Sequence, residues 1–197
     1  MAATVAIHQA TGAGPDYDVV DDGANPLRFC NADTHDPGLA SPLVIHASGV
    51  GNLNYSFWVH LFLDLSGTYT RVNNVRFYSD GTIGWALGTS GGFKIGIRDS
   101  GDNGVATGSY QQATGAGDSG HYMDDAANGH AYYKDQTAPP ANVADYTSGS
   151  TLLVDSANHD SSAAEKTKGV VLQIIVDGDA THGELADETL TFMWDEI

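Results

Sequence analysis

Four stretches of the chain carry residue types able to do chemistry. The tetrapeptide GDSG at Gly117–Gly120 has the form of a turn that presents a nucleophilic serine. That chemistry needs a histidine base within hydrogen-bond reach and a buried aspartate to orient it. Here the segment lies in a polar stretch, His121 follows it at once, and no histidine box precedes it, so the context argues against catalysis. The segment HYMDDAANGH gathers His121, Asp124, Asp125 and His130 as a weak metal-site candidate. The eight histidines (His8, His35, His46, His60, His121, His130, His159 and His182) are otherwise spread singly. They form no His-x-His or HExxH pair that would aim two imidazoles at one ion. DSGDNG at Asp99–Gly104, and Asp177 and Asp179 in VDGDATHG, have the oxygen-rich, glycine-bent character of calcium loops. The twelfth position of the first is Tyr110 rather than Glu, and a hairpin turn accounts for both stretches. Twenty-five acidic residues guarantee some carboxylate pair by chance, and only four of them are Glu, so a glycoside-hydrolase pair has no distinct signal. No phosphate-binding or dinucleotide glycine loop follows a strand-like run. The expectation is a non-enzymatic protein with no catalytic, cofactor-binding or metal residues.

The elements that would position such groups read as strands. Apolar residues rarely recur at helical spacing, and a glycine or a short polar turn interrupts almost every ten residues. The strand candidates are Thr4–His8, Leu27–Asn31, Leu43–Ala47, Tyr55–Leu65, Arg71–Tyr78, Gly84–Leu87, Phe93–Arg98, Thr151–Val154, Val170–Val176 and Thr189–Trp194. Ten short strands between turns predict an all-β fold, an antiparallel β-sandwich over residues 1–197 as one domain, with jelly-roll topology as one arrangement of it. Between Asp99 and Asn142 the periodicity dissolves into a long Gly/Asp-rich loop, a length uncommon in a compact domain unless the loop binds or packs on something. The hexapeptide QATGAG occurs at Gln9–Gly14 and again at Gln112–Gly117, but the flanking sequences do not match, and coincidence in a low-complexity composition explains it.

Along Tyr55–Leu65 a period of two puts Tyr55, Phe57, Val59, Leu61, Leu63 and Leu65 on one face, read as core. The other face, Ser56, Trp58, His60, Phe62 and Asp64, is mixed, as expected where a loop of the same chain or a neighbouring subunit covers a sheet. Trp58 and Phe62 are therefore interface candidates, and Tyr110, Tyr122, Tyr132 and Tyr133 are the sticky points of the long loop. At the C-terminus, Leu190, Phe192 and Trp194 alternate with Thr189, Thr191 and Met193, which predicts a last strand facing the core through the first set.

Composition narrows the partners. The net charge is −17, from 25 acidic and 8 basic residues, and would repel a phosphate backbone, so no nucleic acid is expected. The excess of Asp over Lys keeps a surface hydrated in concentrated salt and self-repelling in dilute buffer. One cysteine, Cys30, excludes an intramolecular disulfide and a multi-cysteine zinc site. The N-terminal MAATVAIHQATGAG has no basic region followed by an apolar stretch, so no signal peptide is expected, and no run is long and apolar enough to suggest a membrane helix.

The run NYSFWVHLFLDLSGTYTRVNNVRFYSDGT (Asn54–Thr82), with the terminal ETLTFMWDEI, resembles virion structural proteins of tailed bacterial and archaeal viruses. The resemblance rests on a pattern of strands and carries over no functional residue. It implies a β-sandwich subunit, made in the host cytoplasm, that joins a virion as a capsid decoration or tail-associated protein. Its partners would be copies of itself and other virion proteins, with no cofactor and no membrane. A different class of reading is a carbohydrate-binding or adhesin-like module, in which Trp58, Trp85 or the loop tyrosines stack on sugar faces.

Overall fold

The run VVLQIIVDG, Val170–Gly178, forms a strand in which all nine residues are buried. A strand of aliphatic and β-branched residues with no polar face needs cover on both sides, and the fold supplies it with a second sheet on one side and a loop layer on the other. The structure is a computed structural model that describes residues 2–13, 16–21, 23–46, 48–97, 110–134, 140–161 and 165–197.

The strands are β1 (Thr4–Thr11), β2 (Asp16–Val20), β3 (Gly49–Tyr55), β4 (Val59–Ser66), β5 (Val72–Ser79), β6 (Gly92–Ile97), β7 (Gly115–Ala116), β8 (Ser119–Gly120), β9 (Ala141–Asn142), β10 (Leu152–Asp155), β11 (Glu165–Lys166), β12 (Val170–Gly178) and β13 (Leu190–Glu196). The large sheet has the order β2-β1-β4-β12-β6-β9, with β11 also paired to β4 and β3 to β12. All its pairings are antiparallel. Residues 49–66 and 165–178 thus form one long two-stranded ribbon. The small sheet has the order β10-β5-β13, and β7 and β8 make a separate hairpin.

The protein is an all-β, antiparallel sandwich. Val59, Leu61, Leu63 and Leu65 of β4 and Val170, Leu172, Ile174 and Val176 of β12 face the small sheet, where they meet Val75, Phe77, Val154 and Phe192. Phe77 and Phe192 are register partners across the small sheet and pack edge to face at 5.1 Å. The last strand forms as its alternation predicts, since Leu190 and Trp194 pack on the same core as Phe192. Opposite Trp194 the partner strand carries an extra residue: Met193 pairs with Arg76 and Asp195 with Asn73, so Asn74 and Val75 both face Trp194. Asn74 takes the left-handed conformation (φ 50°) that such a bulge requires and that Asn tolerates better than most residues. Its side chain donates to Asp195 at 2.7 Å, and the Arg76 guanidinium donates to the same carboxylate.

Three apolar runs read as strands are not strands. Leu27–Asn31 has one isolated bridge, Cys30 to Pro42, while the described part of Leu43–Ala47 and all of Gly84–Leu87 are irregular. Leu27, Phe29, Leu43, Ile45 and Trp85 do pack on the core. Alternate burial therefore gave them a strand-like pattern without a neighbouring backbone to complete a ladder.

One polar cluster ties the two sheets together. His159 is buried, its Nε2 lies 3.1 Å from Asp155 Oδ2 at the end of β10, and its Nδ1 lies 2.6 Å from Glu165 Oε2 on β11. Its backbone N–H and C=O both pair with Val72 of β5. Only an imidazolium can donate to both carboxylates at once. The Asp155 hydrogen bond, reinforced by Glu165 and opposed by burial, raises the His159 pKa above its ordinary 6.5. Burial works against the Asp155 carboxylate, but His159 and the N–H groups of Lys168 and Ala157 outweigh it and hold that group below its ordinary value.

Two outcomes are expected. Leu63→Ala, at a fully buried position of the core, should cost about 2–5 kcal/mol in urea unfolding. The histidine's raised pKa means that its contribution is complete below 6.5 and is lost as pH climbs through the folded value, whereas that of Asp155 is lost only as pH falls through its depressed value. The urea midpoint should therefore fall as pH is raised above 6.5, and His159→Gln should flatten that alkaline decline; an unchanged slope in the variant would remove the cluster as its cause.

Candidate functional site

All six aromatics marked as interface candidates lie on or beneath the outer face of the large sheet, and one irregularity in the β3–β4 strand adds Phe57 to them. Tyr55 pairs with Ile175 and Val59 with Leu172. Ser56, Phe57 and Trp58 thus lie opposite only two residues, Ile174 and Gln173. The surplus residue is a β-bulge, which interrupts the alternation and turns Phe57 and Trp58 toward the same side. Phe57, expected in the main core, instead packs with Trp58, Ala113, Met123, Tyr133 and Val171 in a second cluster.

Gln173 fills the space opposite the bulge. It is wholly buried, its Oε1 accepts from Met123 N–H at 2.8 Å, and its Nε2 donates to the carbonyls of Ser56 at 2.8 Å and His121 at 2.7 Å. One side chain thereby joins β12, the bulge and the loop that crosses above them. Trp58 Nε1 and His60 Nε2 both reach the Gln111 carbonyl, at 3.1 and 2.9 Å, and His60 must carry its proton on Nε2 to do so. His60 packs 4.8 Å from Tyr110 and 5.4 Å from His130, ring to ring, and His130 lies 5.0 Å from Tyr133 and 5.9 Å from Trp58. Tyr133 rests on Gly96 of β6, where a Cβ would stand 2.3 Å from the ring, so glycine is required there. Its hydroxyl donates to the Ile97 carbonyl. Phe62 forms a third cluster with Ala10 and Tyr110.

The cover over this face comes from the chain's own residues 110–134. Trp58, Phe62 and Tyr133 are 2%, 0% and 3% exposed, while Tyr110, Tyr122 and Tyr132 are half-buried. Trp58 and Phe62 therefore do not face outward on the subunit. His60, on the face expected to be mixed, is also buried. Tyr122 stacks on Tyr55 at 5.4 Å, and burial, before any nearby carboxylate, pushes both phenols above their ordinary pKa. Trp58 has no face to offer a sugar, and Trp85 lies against Phe93 with its indole N–H given to the Ala186 carbonyl.

Most of the other sequence candidates are bonded to neighbouring backbone or side chains. Asp118 and Ser119 belong to the β7–β8 hairpin; the Ser119 hydroxyl accepts from Tyr55 N–H and donates to Gly120 C=O. His121 bonds Thr114 and His46 pairs with Asp118. Asp125 accepts from Ala127 and Asn128 N–H. Asp177 is buried with its oxygens on the N–H groups of Gly51, Gly178 and Ser90, and Asp179 holds Thr89. Among the described residues no group of three His, Cys, Asp or Glu is placed to hold a metal ion. Asp99–Gly104 lies outside the described residues.

On the other side of the large sheet, a cleft of about 1140 Å³ enters the sandwich between the sheets. Its floor includes Leu61, Phe77, Ile174 and Phe192, and the irregular segments that carry Phe29, Ile45 and Trp85 form its walls. No sequence signal announced it, because its wall residues have the same alternation as strands.

Gln173→Leu, close in size but without polar atoms, should leave the Met123 N–H and two carbonyls unpaired. It should cost about 3 kcal/mol or more and raise amide exchange through residues 110–134 while leaving β5 and β13 protected. Uniform exchange across the molecule would show that the loop layer is not held separately. Comparison of the chain with models of protein families, with curated proteins and with solved structures finds no match in any of the three.

Proposed function

We propose that this chain is a non-enzymatic structural subunit that works by contact with copies of itself and with other proteins, as capsid-decoration and tail-associated subunits of tailed viruses do. The observation that carries the reading is the placement of exposed apolar side chains on edge strands. Val19 on β2, the outermost strand of the large sheet, is 46% exposed, and Leu153 on β10, the outermost strand of the small sheet, is 48% exposed. An edge strand presents unpaired backbone N–H and C=O groups, and proteins that stay apart blunt such edges with charge. The β2 edge carries Asp16 and Asp18 as such charges, but each edge also presents an exposed apolar side chain that strand addition by a neighbouring subunit can bury. The groups that sequence offered for chemistry support the same reading, since Asp177, Asp179 and Ser119 are committed to neighbouring backbone.

Long-range repulsion between chains of charge −17 opposes self-association in dilute buffer and weakens once salt shortens its reach. Light scattering behind size exclusion should therefore show a larger assembly as salt and protein concentration rise. The double substitution Val19→Lys and Leu153→Lys should hold the chain monomeric with an unchanged melting temperature. A wild-type chain that stays monomeric throughout, and that does not cosediment with a particle carrying its gene, would overturn the proposal.

A further inference from the structure

Charge separates the two edges on which the assembly reading rests. On β2, Asp16 and Asp18 flank Tyr17, and Asp21 follows the strand. An antiparallel pair of β2 strands centred on Tyr17 sets Asp16 opposite Asp18, and one centred on Asp18 sets that residue opposite itself. Like charges directly opposite each other destabilise a ladder, and a chain of net charge −17 has few cations to offset them. On β10 the surroundings differ. Residues 147–154, TSGSTLLV, carry no charge. The next residue, Asp155, is buried, and its carboxylate is taken up by His159 and the N–H groups of Ala157 and Lys168. Beside the exposed Leu153, its register partner Arg76 is neutralised by Asp195. Among the described residues β5 is the one strand paired with β10, so the other edge of its ladder is open.

We propose that β10 is the edge by which this chain binds a second copy of itself, the two β10 strands pairing antiparallel about a two-fold axis at Leu153 so that two small sheets become one. This inference rests on the assembly reading and names the partner at one of its edges. Copies related by a two-fold axis present the same patch to each other, so a strongly acidic chain meets itself at least cost where that patch is free of charge. A partner of opposite charge would gain from the acidic surface instead, which is why an uncharged edge points to a second copy. The axis sets each Leu153 opposite its counterpart, and each covers a side chain that is 48% exposed in the single chain.

Cysteine at residue 153 tests this arrangement directly, because residues opposite each other across an antiparallel ladder have Cα atoms about 4.5–5.5 Å apart, within the span of a disulfide. The chain's own Cys30 is buried and does not compete. Full-length Leu153→Cys and Val19→Cys are oxidised in molar KCl at a protein concentration where the unmodified chain assembles. Leu153→Cys should form a covalent dimer on a non-reducing gel several-fold faster than Val19→Cys. In light scattering, Leu153→Lys, which sets two ammonium groups opposite each other, should be monomeric, whereas Val19→Lys alone should still form the dimer. Equal crosslinking rates, loss of the dimer through Val19→Lys alone, or a dimer that survives Leu153→Lys would overturn the inference and leave strand addition at another edge standing. Survival of the dimer with loss only of attachment to a particle would also overturn it, by making β10 the edge for a different protein. A chain that stays monomeric at every salt concentration would remove this inference together with the assembly reading. The crosslinking rates decide the matter even if a lysine variant fails to fold.

Discussion

Gln173 is a polar side chain in the middle of a strand whose every residue is buried, and satisfying it shapes one whole side of the molecule. An amide brought out of water without partners costs a few kcal/mol. Its oxygen and nitrogen therefore need groups that a flat ladder would not place above them. The bulge at Ser56–Trp58 turns the Ser56 carbonyl toward the amide, and the loop brings the Met123 N–H and His121 C=O from above. With the loop anchored there, Trp58, Met123 and Tyr133 close the outer face of β12. The amide and the aromatic layer are mutually dependent, since without the layer Gln173 would be solvated and without Gln173 the layer would lack its central fixing point.

The acidity of the chain acquires a structural explanation from the same bonding pattern. With only 8 basic residues against 25 acids, few carboxylates can find a cationic partner. Many of the aspartates instead hook the backbone a few residues ahead: Asp21 holds Gly23 and Asn25, Asp36 holds Ala40 and Ser41, Asp80 holds Thr82, and Asp125 holds Ala127 and Asn128. Backbone N–H donors depress the pKa of Asp21, Asp36 and Asp125. A glycine-rich chain with long irregular connections uses Asp, the shortest carboxylate, as its turn-forming residue. Much of the negative charge thus accompanies loop geometry.

The sequence was legible where a period of two ran without interruption. The inward face of β4 and the inward residues of β13 were read correctly, because alternation alone fixes them. The reading failed at Tyr55 and Phe57, upstream of the extra residue that reversed the alternation, because nothing local announces a bulge and the Gln173 amide that bonds its Ser56 carbonyl lies more than a hundred residues away. It failed also at Leu27–Asn31 and at the described part of Leu43–Ala47, where Leu27, Phe29, Leu43 and Ile45 pack against the core without a partner strand. The long loop stood out by composition, but its landing place on Trp58 and His60 was invisible, because that contact is made through the Gln111 carbonyl, a group every residue possesses. The cleft left no sequence trace, since the residues of its walls alternate as those of strands do.

The strand order of the large sheet bears on how the molecule is made. β4 lies between β1 and β12, yet the chain delivers β1 and β4 early and β12 only after another hundred or so residues, from Ser66 to Val170. At ~5–20 residues per second of synthesis, the β1–β4 pair exists for roughly 5–20 s with the hydrogen-bonding edge of an apolar strand uncovered. Outside the ribosome that edge is open to any other nascent copy, and the same sequence that later completes it in one chain is being produced in its neighbours. Crowded translation from one message therefore favours exchange of the β12 segment between chains, and the yield of native subunit depends on how well that edge is shielded during those seconds.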